Sequence, residues 1–359
     1  MVQEKKASSD RNTDGLSPVV SVVVVNLNRR ELLHRCLLSL DAQTASGFEV
    51  IVIDNGSTDG SGEMLNQVVS HLRFPLQVIQ NVANLGFCGG NNQGIRRARG
   101  EYIALLNNDA EADSGWIAAM LESLRSRPEF GMAACKILVH ENPRKIDKVG
   151  HLIFLDGQNR GRGSGELDLG QYEIEEEILW PDGCAAMYRR AMLDEIGIFD
   201  EDLFAYGDDA ELGLRARIAG WRCIYVPRAV VRHHRASTLG LLSGRRIELI
   251  ERNRLLLAVK HFPVGLLCLN GLFWSVRVGA GVIAALRGRG EAGKFKGATG
   301  LTTLAAALIR GNLQALRLIP ATLRKRRALR PIRRLSSREV RTLLLAHRIP
   351  LKTLSEQTV

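Results

Sequence analysis

The sequence predicts an α/β fold, a mostly parallel sheet flanked by helices, followed by a C-terminal helical, basic, membrane-associating region. Three observations predict it. The run VVSVVVVN from Val19 to Asn26 is β-branched and lacks polar alternation, as a strand buried on both faces of a parallel sheet does. Strand-like and helix-like segments then alternate at short intervals as far as Leu124. Beyond Pro263 a long apolar run gives way to a strongly basic end.

The first 17 residues, MVQEKKASSDRNTDGLS, are polar and lack the apolar core of a secretory signal, so residues 1–17 read as a disordered lead-in. After the first strand, ELLHRCLLSL spaces Leu33, Cys36, Leu37 and Leu40 at helical intervals. FEVIVID and GEMLNQVVSHL form the second strand and helix; LQVIQN and the segment from Asn91 to Arg99 form the third pair. YIALLN is a fourth strand, followed by a helix from Trp116 to Leu124. After Lys136 the rhythm breaks, and the glycines of GQNRGRGSGELDLG read as an irregular surface loop. Order returns at ILWPDGCAAMYRRAMLDEIG, an extended piece leading into a helix, and a further helix runs from Asp208 to Ala219. CIYVPRAVV is a short strand ahead of His233-His234. Residues 264–286 are 23 mostly apolar residues, near the length that spans a bilayer. Asn270, Arg277 and four glycines interrupt them, which leaves both a span and a surface-lying hairpin open. The expected division is a catalytic domain over 18–258 and a membrane-associated helical region over 259–359.

Charge divides the chain in the same place. Lys260 to Val359 holds 19 Lys+Arg against 3 Asp+Glu, whereas Met1 to Val259 holds 30 against 35, within an overall formal charge of +11. The basic run LRKRRALRPIRR, Leu323 to Arg334, suits an anionic membrane surface. A nucleic-acid partner is disfavoured, because the basic tail lacks interleaved aromatics. Six widely spaced cysteines without a Cys-x-x-Cys pair point to a reducing compartment, the cytoplasm.

The chemistry-bearing residues fall at strand carboxyl ends. Asn26 and Asn28 follow the first strand, Asp54 ends the second, and Asn107, Asn108 and Asp109 end the fourth. In an open α/β sheet these ends line one crevice, so the three turns should converge on a common ligand. The competing reading of Asp54-Asn-Gly-Ser-Thr-Asp is a turn that caps the next helix. The segment from Asn84 through Asn91 to Gly94 is rich in glycine and amides, suited to backbone approach to a diphosphate. It matches neither G-x-G-x-x-G nor a phosphate loop. Asp109 is a natural ligand for a hard divalent cation, with Asn107 as a neutral oxygen donor; the bland alternative is a cap for the helix starting near Asp113.

Asp208 and Glu211 have capping-box spacing, and Glu211 and Arg215 can pair at i, i+4 on the helix surface. That leaves Asp209 as the carboxylate for general-base work, against the alternative of an acidic first turn complementing the helix dipole. One histidine of His233-His234 could ligate metal or contact the diphosphate. Trp180 and Trp221 could shape an acceptor platform, although buried aromatics are the commoner case. Asp182 in the WPDG segment joins Trp180, Asp208, Glu211 and Arg215 as acceptor-side candidates.

In order, SVVVVNLN, VIDNGSTDGS, NLGFCGGNNQG, LLNNDAE and FDEDLFAYGDDAELGLRARIAGW followed by VVRHHRAST make the chain from Pro18 to Leu257 resemble the family 2 glycosyltransferases. The likeness is to the GT-A, Rossmann-like fold and especially to the bacterial rhamnosyltransferase-like branch. The resemblance implies that Asp54 contacts the nucleotide base and that Asn26, Asn28, Asn84 and Asn91 lie in or beside the donor pocket. Asp109 matches the last acid of the family's Asp-x-Asp metal motif, with Asn107 in the first position, and His233 matches its metal- or diphosphate-contacting histidine. Asp209 matches the catalytic base. The implied reaction is inverting transfer from a nucleotide-diphosphate sugar, assisted by Mg²⁺ or Mn²⁺, to a hydroxyl of a glycan or lipid-linked acceptor. Its expected place is envelope polysaccharide synthesis at the inner face of the plasma membrane, and rhamnose is the candidate sugar. The alternative is a non-catalytic nucleotide-sugar-binding protein at the membrane.

Overall fold

The computed structural model describes residues 17–235, 243–290 and 297–356. The expected lead-in, up to residue 16, and the Ala236-Ser237-Thr238 end of the last block lie outside the described residues. In chain order the first half comprises β1 (Val20–Asn26), α1 (Arg30–Asp41), β2 (Phe48–Asp54), α2 (Ser61–Val68), β3 (Leu76–Gln80), α3 (Gly86–Arg97), β4 (Tyr102–Leu106), β5 (Ala110–Ala112) and α4 (Trp116–Arg125). Next come β6 (Phe130–Val139), β7 (Asn142–Lys148), β8 (His151–Ile153), β9 (Asn159–Gly161), β10 (Glu176–Ile178), β11 (Ala185–Arg189), α5 (Arg190–Ile196), α6 (Asp208–Ile218) and β12 (Arg222–His233). The C-terminal part is helical: α7 (Gly244–His261), α8 (Val264–Cys268), α9 (Asn270–Leu286), α10 (Gly297–Ala328), α11 (Ser337–Ala346) and α12 (Leu351–Glu356).

The main sheet runs β10-β12-β6-β11-β4-β1-β2-β3, with β5 on β12 and β7 on β6. It is mixed. β3, β2, β1 and β4 are parallel, which is the half whose continuous apolar runs are plain in the sequence, and β12 is parallel to β6. β11 enters antiparallel between β4 and β6. Alternate residues of β1 serve opposite layers: Val22 and Val24 pack with Leu33, Met64 and Trp116 of α1, α2 and α4, while Val23 packs with Ile95, Leu212 and Leu256 of α3, α6 and α7.

Three expectations change on this frame. The third helix begins at Gly86 rather than Asn91, so most of the glycine and amide segment is helical, not a phosphate-cradling loop. Its glycines allow close helix-to-sheet approach: a Cβ on Gly94 would sit 2.3 Å from Cγ1 of Val23. The expected irregular loop after Lys136 instead contains the β8–β9 hairpin, in register from His151 opposite Gly161 to Ile153 opposite Asn159. Residues 264–286 divide into α8 and α9, and among the described residues no helix is long and apolar enough to cross a membrane. Arg277 is anchored inward, 2.6 Å from both Asp156 and Glu251.

Candidate active site

A cavity of ≈ 640 Å³ opens at the carboxyl ends of β1 and β4 and is closed by the α6 start, the β8–β9 hairpin, α7 and α9. The strand-end turns meet there through side-chain hydrogen bonds. Asn108 Nδ2 donates to Asn26 Oδ1 at 2.7 Å, and Asn26 Nδ2 donates to Asp54 Oδ1 at 3.3 Å. Asp54 also accepts from the Ser57 hydroxyl. Asn55 bridges onward, donating to Asn84 Oδ1 at 3.3 Å and to the Gly86 carbonyl at 3.2 Å. The left-handed Asn28 (φ 50°) accepts from Thr58 N–H at 2.8 Å, beside the cavity rather than in its lining.

Asp109 and His233 form one pole of the cavity. β5 and β12 pair with His233 opposite Ala110, which brings His233 Nε2 to 3.3 Å from Asp109 Oδ1. Its Nδ1 lies 2.7 Å from Asp147 Oδ2. Burial disfavours a charged ring there, yet Cys184 and the hydrogen bonds to Asp109 and Asp147 hold the His233 pKa well above the ordinary histidine value. Asp147, for its part, is buried against ionisation, but Lys148 and His233 keep it below the usual carboxylate range.

Asp208, Asp209, Asp182 and His151 form the other pole. Gly207 takes the N-cap position of α6 in a left-handed conformation (φ 74°), so Asp208 is the first helical residue rather than the cap. Burial and the neighbouring Asp209 raise the Asp208 pKa well above the carboxylate norm. Asp209 Oδ2 lies 3.2 Å from His151 Nε2, and that nitrogen is also 2.8 Å from Asp182 Oδ2. Lys148 donates to the same Asp182 oxygen at 2.6 Å. Burial opposes a cationic His151, but Asp209 and Asp182 lift its pKa to about 9, so it is an imidazolium at neutral pH.

Comparisons with known proteins bear on the family and the fold. A family model described as glycosyl transferase family 2 matches residues 21–197, and one described as glycosyl transferase family group 2 matches residues 167–289. The chain belongs to glycosyltransferase family 2. It is 29% identical over 247 residues to N-acetylglucosaminyl-diphospho-decaprenol L-rhamnosyltransferase of Mycobacterium tuberculosis, covering 63% of this chain and 79% of that protein. It is 28% identical over 230 residues to O-antigen biosynthesis protein RfbC of Myxococcus xanthus, covering 62% of this chain but 18% of that protein. In fold it is similar to the mannosyltransferase PcManGT from Pyrobaculum calidifontis in complex with GDP-Man and Mn²⁺, at 18% identity and a TM-score of 0.50 over 84% of this chain and 88% of that one. GalNAc-T7 with UDP, GalNAc and Mn²⁺ gives 18% identity and 0.52 over 60% and 43%.

In this glycosyltransferase the cavity gathers Asn26, Asn84, Asn107, Asn108, Asp109, Asp182, Asp208, Asp209 and His233 from among the residues singled out in the sequence. Others lie elsewhere. Asn91 is buried within α3 and donates to the Phe87 carbonyl, so it does not reach the cavity. Trp180 is fully buried, under Gly213 and alongside the His151 ring, and is a core residue rather than an acceptor platform. Trp221 is occupied with Glu195, also away from the cavity. The capping box is absent: Glu211 is buried and pairs with Arg215 at 2.7 Å, Lys260 at 2.7 Å and His261 at 2.9 Å, so the Glu211–Arg215 pair is internal rather than on the helix surface. Asp54 backs the cavity through Asn26 without lining it. The lining also contains Asn55, Asp147, Lys148, His151 and a group of arginines including Arg235, Arg254 and Arg277, none of which the sequence marks as a site residue. A basic residue two places after His233 and the lone His151 carry no local signature.

Proposed function

We propose that this glycosyltransferase transfers a sugar, with inversion, from a nucleotide-diphosphate donor to a hydroxyl of a glycan or lipid-linked acceptor of an envelope polysaccharide. The observation that carries the reading is the placing of the Asp109–His233 pair and the Asp208–Asp209 helix start on one cavity. Rhamnose is the favoured sugar, from the 29% identical relative.

The residues fit a divalent cation, Mg²⁺ or Mn²⁺. The 3.3 Å between Asp109 Oδ1 and His233 Nε2 is close to the roughly 3 Å between neighbouring ligands of an octahedral ion with 2.0–2.1 Å bonds. Asp147 on Nδ1 fixes the ring so that Nε2 faces Asp109, the usual role of a carboxylate behind a ligating histidine. Asp109 and His233 would hold the ion, which when bound supplies positive charge to the diphosphate leaving group. Asn26, Asn84 and Asn108 offer amide hydrogen bonds for the donor. Asp209 takes the proton of the acceptor hydroxyl as its oxygen bonds to the anomeric carbon and the carbon–diphosphate bond breaks on the opposite face. His151, as a cation, holds the Asp209 carboxylate in place, and Asp182, itself paired with Lys148, holds His151.

Exposed Leu272, Val282, Ile283 and Leu286 on α9, and Ile309, Leu313 and Leu316 on α10, support attachment to an anionic inner membrane face, with exposed Arg324, Arg327 and Arg330 nearby in the chain. The test of the reaction is a panel of thymidine-, uridine- and guanosine-diphosphate sugars with Mg²⁺ or Mn²⁺, scored by nucleotide release and by sugar transfer to a lipid-linked glycan. Release and transfer from one nucleotide class is the expected result. No binding of any donor in the presence of either ion contradicts the proposal.

A further inference from the structure

We propose that Glu111, His140 and His234 form a second metal site, outside the catalytic cavity, that takes a borderline transition ion, Zn²⁺. The three side chains come from adjoining strand ends: Glu111 is on β5, His140 follows β6 and His234 follows β12. β12 is hydrogen-bonded to both neighbours, with Arg232 opposite Glu111 on β5 and His233 opposite Val139 on β6. His140 N–H donates to the His233 carbonyl at 3.0 Å, and His234 N–H to the Asp109 carbonyl at 2.9 Å. Side chains alternate along an extended chain, so His233 entering the cavity directs His234 to the other side. None of the three residues lines the cavity.

The donor atoms are already gathered. His140, His234 and Glu111 present one ligand atom each within 4.8 Å of one another. Glu111 Oε1 lies 2.8 Å from His234 Nε2 and 3.9 Å from His140 Nδ1; the two imidazole rings stack with centroids 3.6 Å apart, so one ring turns out of the stack for both in-plane nitrogen lone pairs to meet one ion. His140 Nδ1 is buried without a hydrogen-bond partner, a cost that a metal bond at that nitrogen removes. Two imidazoles and one carboxylate, with a fourth position open to water, form a donor set suited to Zn²⁺. Glu141 stands 3.8 Å from His234 Nδ1, on the far side of the ring from the proposed ligand nitrogen. All three ligands are partly exposed, so an ion can enter from solvent. Bound there, it ties together the ends of β5, β6 and β12, the segments whose backbone presents Asp109 and His233 to the cavity.

The test uses the metal-free full chain carrying Asp109→Asn, which removes the proposed cation ligand of the cavity, and Asp209→Asn, which breaks up the cavity's His151–Asp182–Asp209 group of possible ligand atoms, titrated with Zn²⁺ alone by calorimetry and followed by thermal melting. The expected result is one equivalent of Zn²⁺ and a raised melting midpoint. Adding His140→Ala or Glu111→Gln should weaken that equivalent by at least ~10-fold and abolish the midpoint shift. If His140→Ala fails to fold, His140→Gln carries the same comparison. A chain that binds no Zn²⁺ at micromolar concentration, or binds it equally well with and without His140 and Glu111, overturns the site. Sugar transfer plays no part in this readout, so the result stands apart from the proposed reaction.

Discussion

Asp208 and Asp209 are adjacent in sequence yet meet different surroundings. Burial and the adjacent Asp209 push the Asp208 pKa up, whereas Asp209 meets the His151 imidazolium. Asp209→Asn keeps the side-chain shape and removes the base, and a loss of about 10²–10⁴-fold in kcat is expected with donor affinity unchanged. His151 makes a separate prediction for stability. Its folded pKa of about 9 lies above the ordinary value of 6.5, so its contribution is full below pH 6.5 and is lost as pH rises through 9. Urea unfolding of the wild type should therefore lose on the order of 3 kcal/mol across that window. His151→Gln should show no such alkaline loss, and an equal loss in both would remove the imidazolium from the account. Asp209 was legible in the sequence for an incomplete reason. Capping-box spacing marks Asp208 as structural, but the left-handed Gly207 takes the cap position and both acids face the cavity. His151 was illegible because its partners are 31 and 58 residues away in sequence, brought together only by the fold.

Helix α3 and helix α9 position the cavity walls by different physics. α3 lies close on β1 because Gly90 and Gly94 leave room for Val25 and Val23. Gly94→Ala places a methyl group 2.3 Å from Val23 Cγ1, and overpacking of that kind costs about 1–3 kcal/mol. Better helix propensity offsets at most ~1 kcal/mol. A lower urea midpoint at unchanged slope is the expected reading. α9 is held by charge: Arg277 lies 2.6 Å from Asp156 and from Glu251, both almost wholly buried. Arg277→Met leaves those carboxylates with the Arg254 cation, 3.7 and 3.1 Å away, and with neutral donors, the Trp274 indole on Glu251 and the Gln158 N–H on Asp156. A loss near 3 kcal/mol is expected, the lower end for a broken buried pair. The parallel strands were readable because burial on both faces leaves an unbroken apolar run. The β8–β9 hairpin was not, since its strands are three residues each and its glycines look like loop punctuation. Arg277 interrupting an apolar run was readable as an obstacle to spanning, but its acidic partners were not.

Across the whole molecule, the basic C-terminal part is tied to acids of the sheet domain. Lys260 and Lys325 both meet Asp200, Lys325 also pairs with Asp202 at 2.6 Å, and Arg334 pairs with Glu195 at 2.7 Å. The sequence showed two oppositely charged parts but not that part of this charge is spent holding them together. Other arginines and the apolar residues of α9 and α10 stay exposed, the surface proposed to meet a membrane. The full chain is expected to float with phosphatidylglycerol-containing vesicles, to release at high salt, and to float less as Ile283→Glu and Leu286→Glu. Equal flotation on zwitterionic vesicles at all salt concentrations would contradict an electrostatic surface attachment. The central claim is the division of labour across one cavity, and it is tested most directly by measuring donor binding and single-turnover transfer together in Asp109→Asn and Asp209→Asn. The account predicts that Asp109→Asn loses cation-dependent donor binding, while Asp209→Asn binds donor normally and loses transfer. Near-normal transfer by Asp209→Asn, or the same defect in both variants, would contradict it.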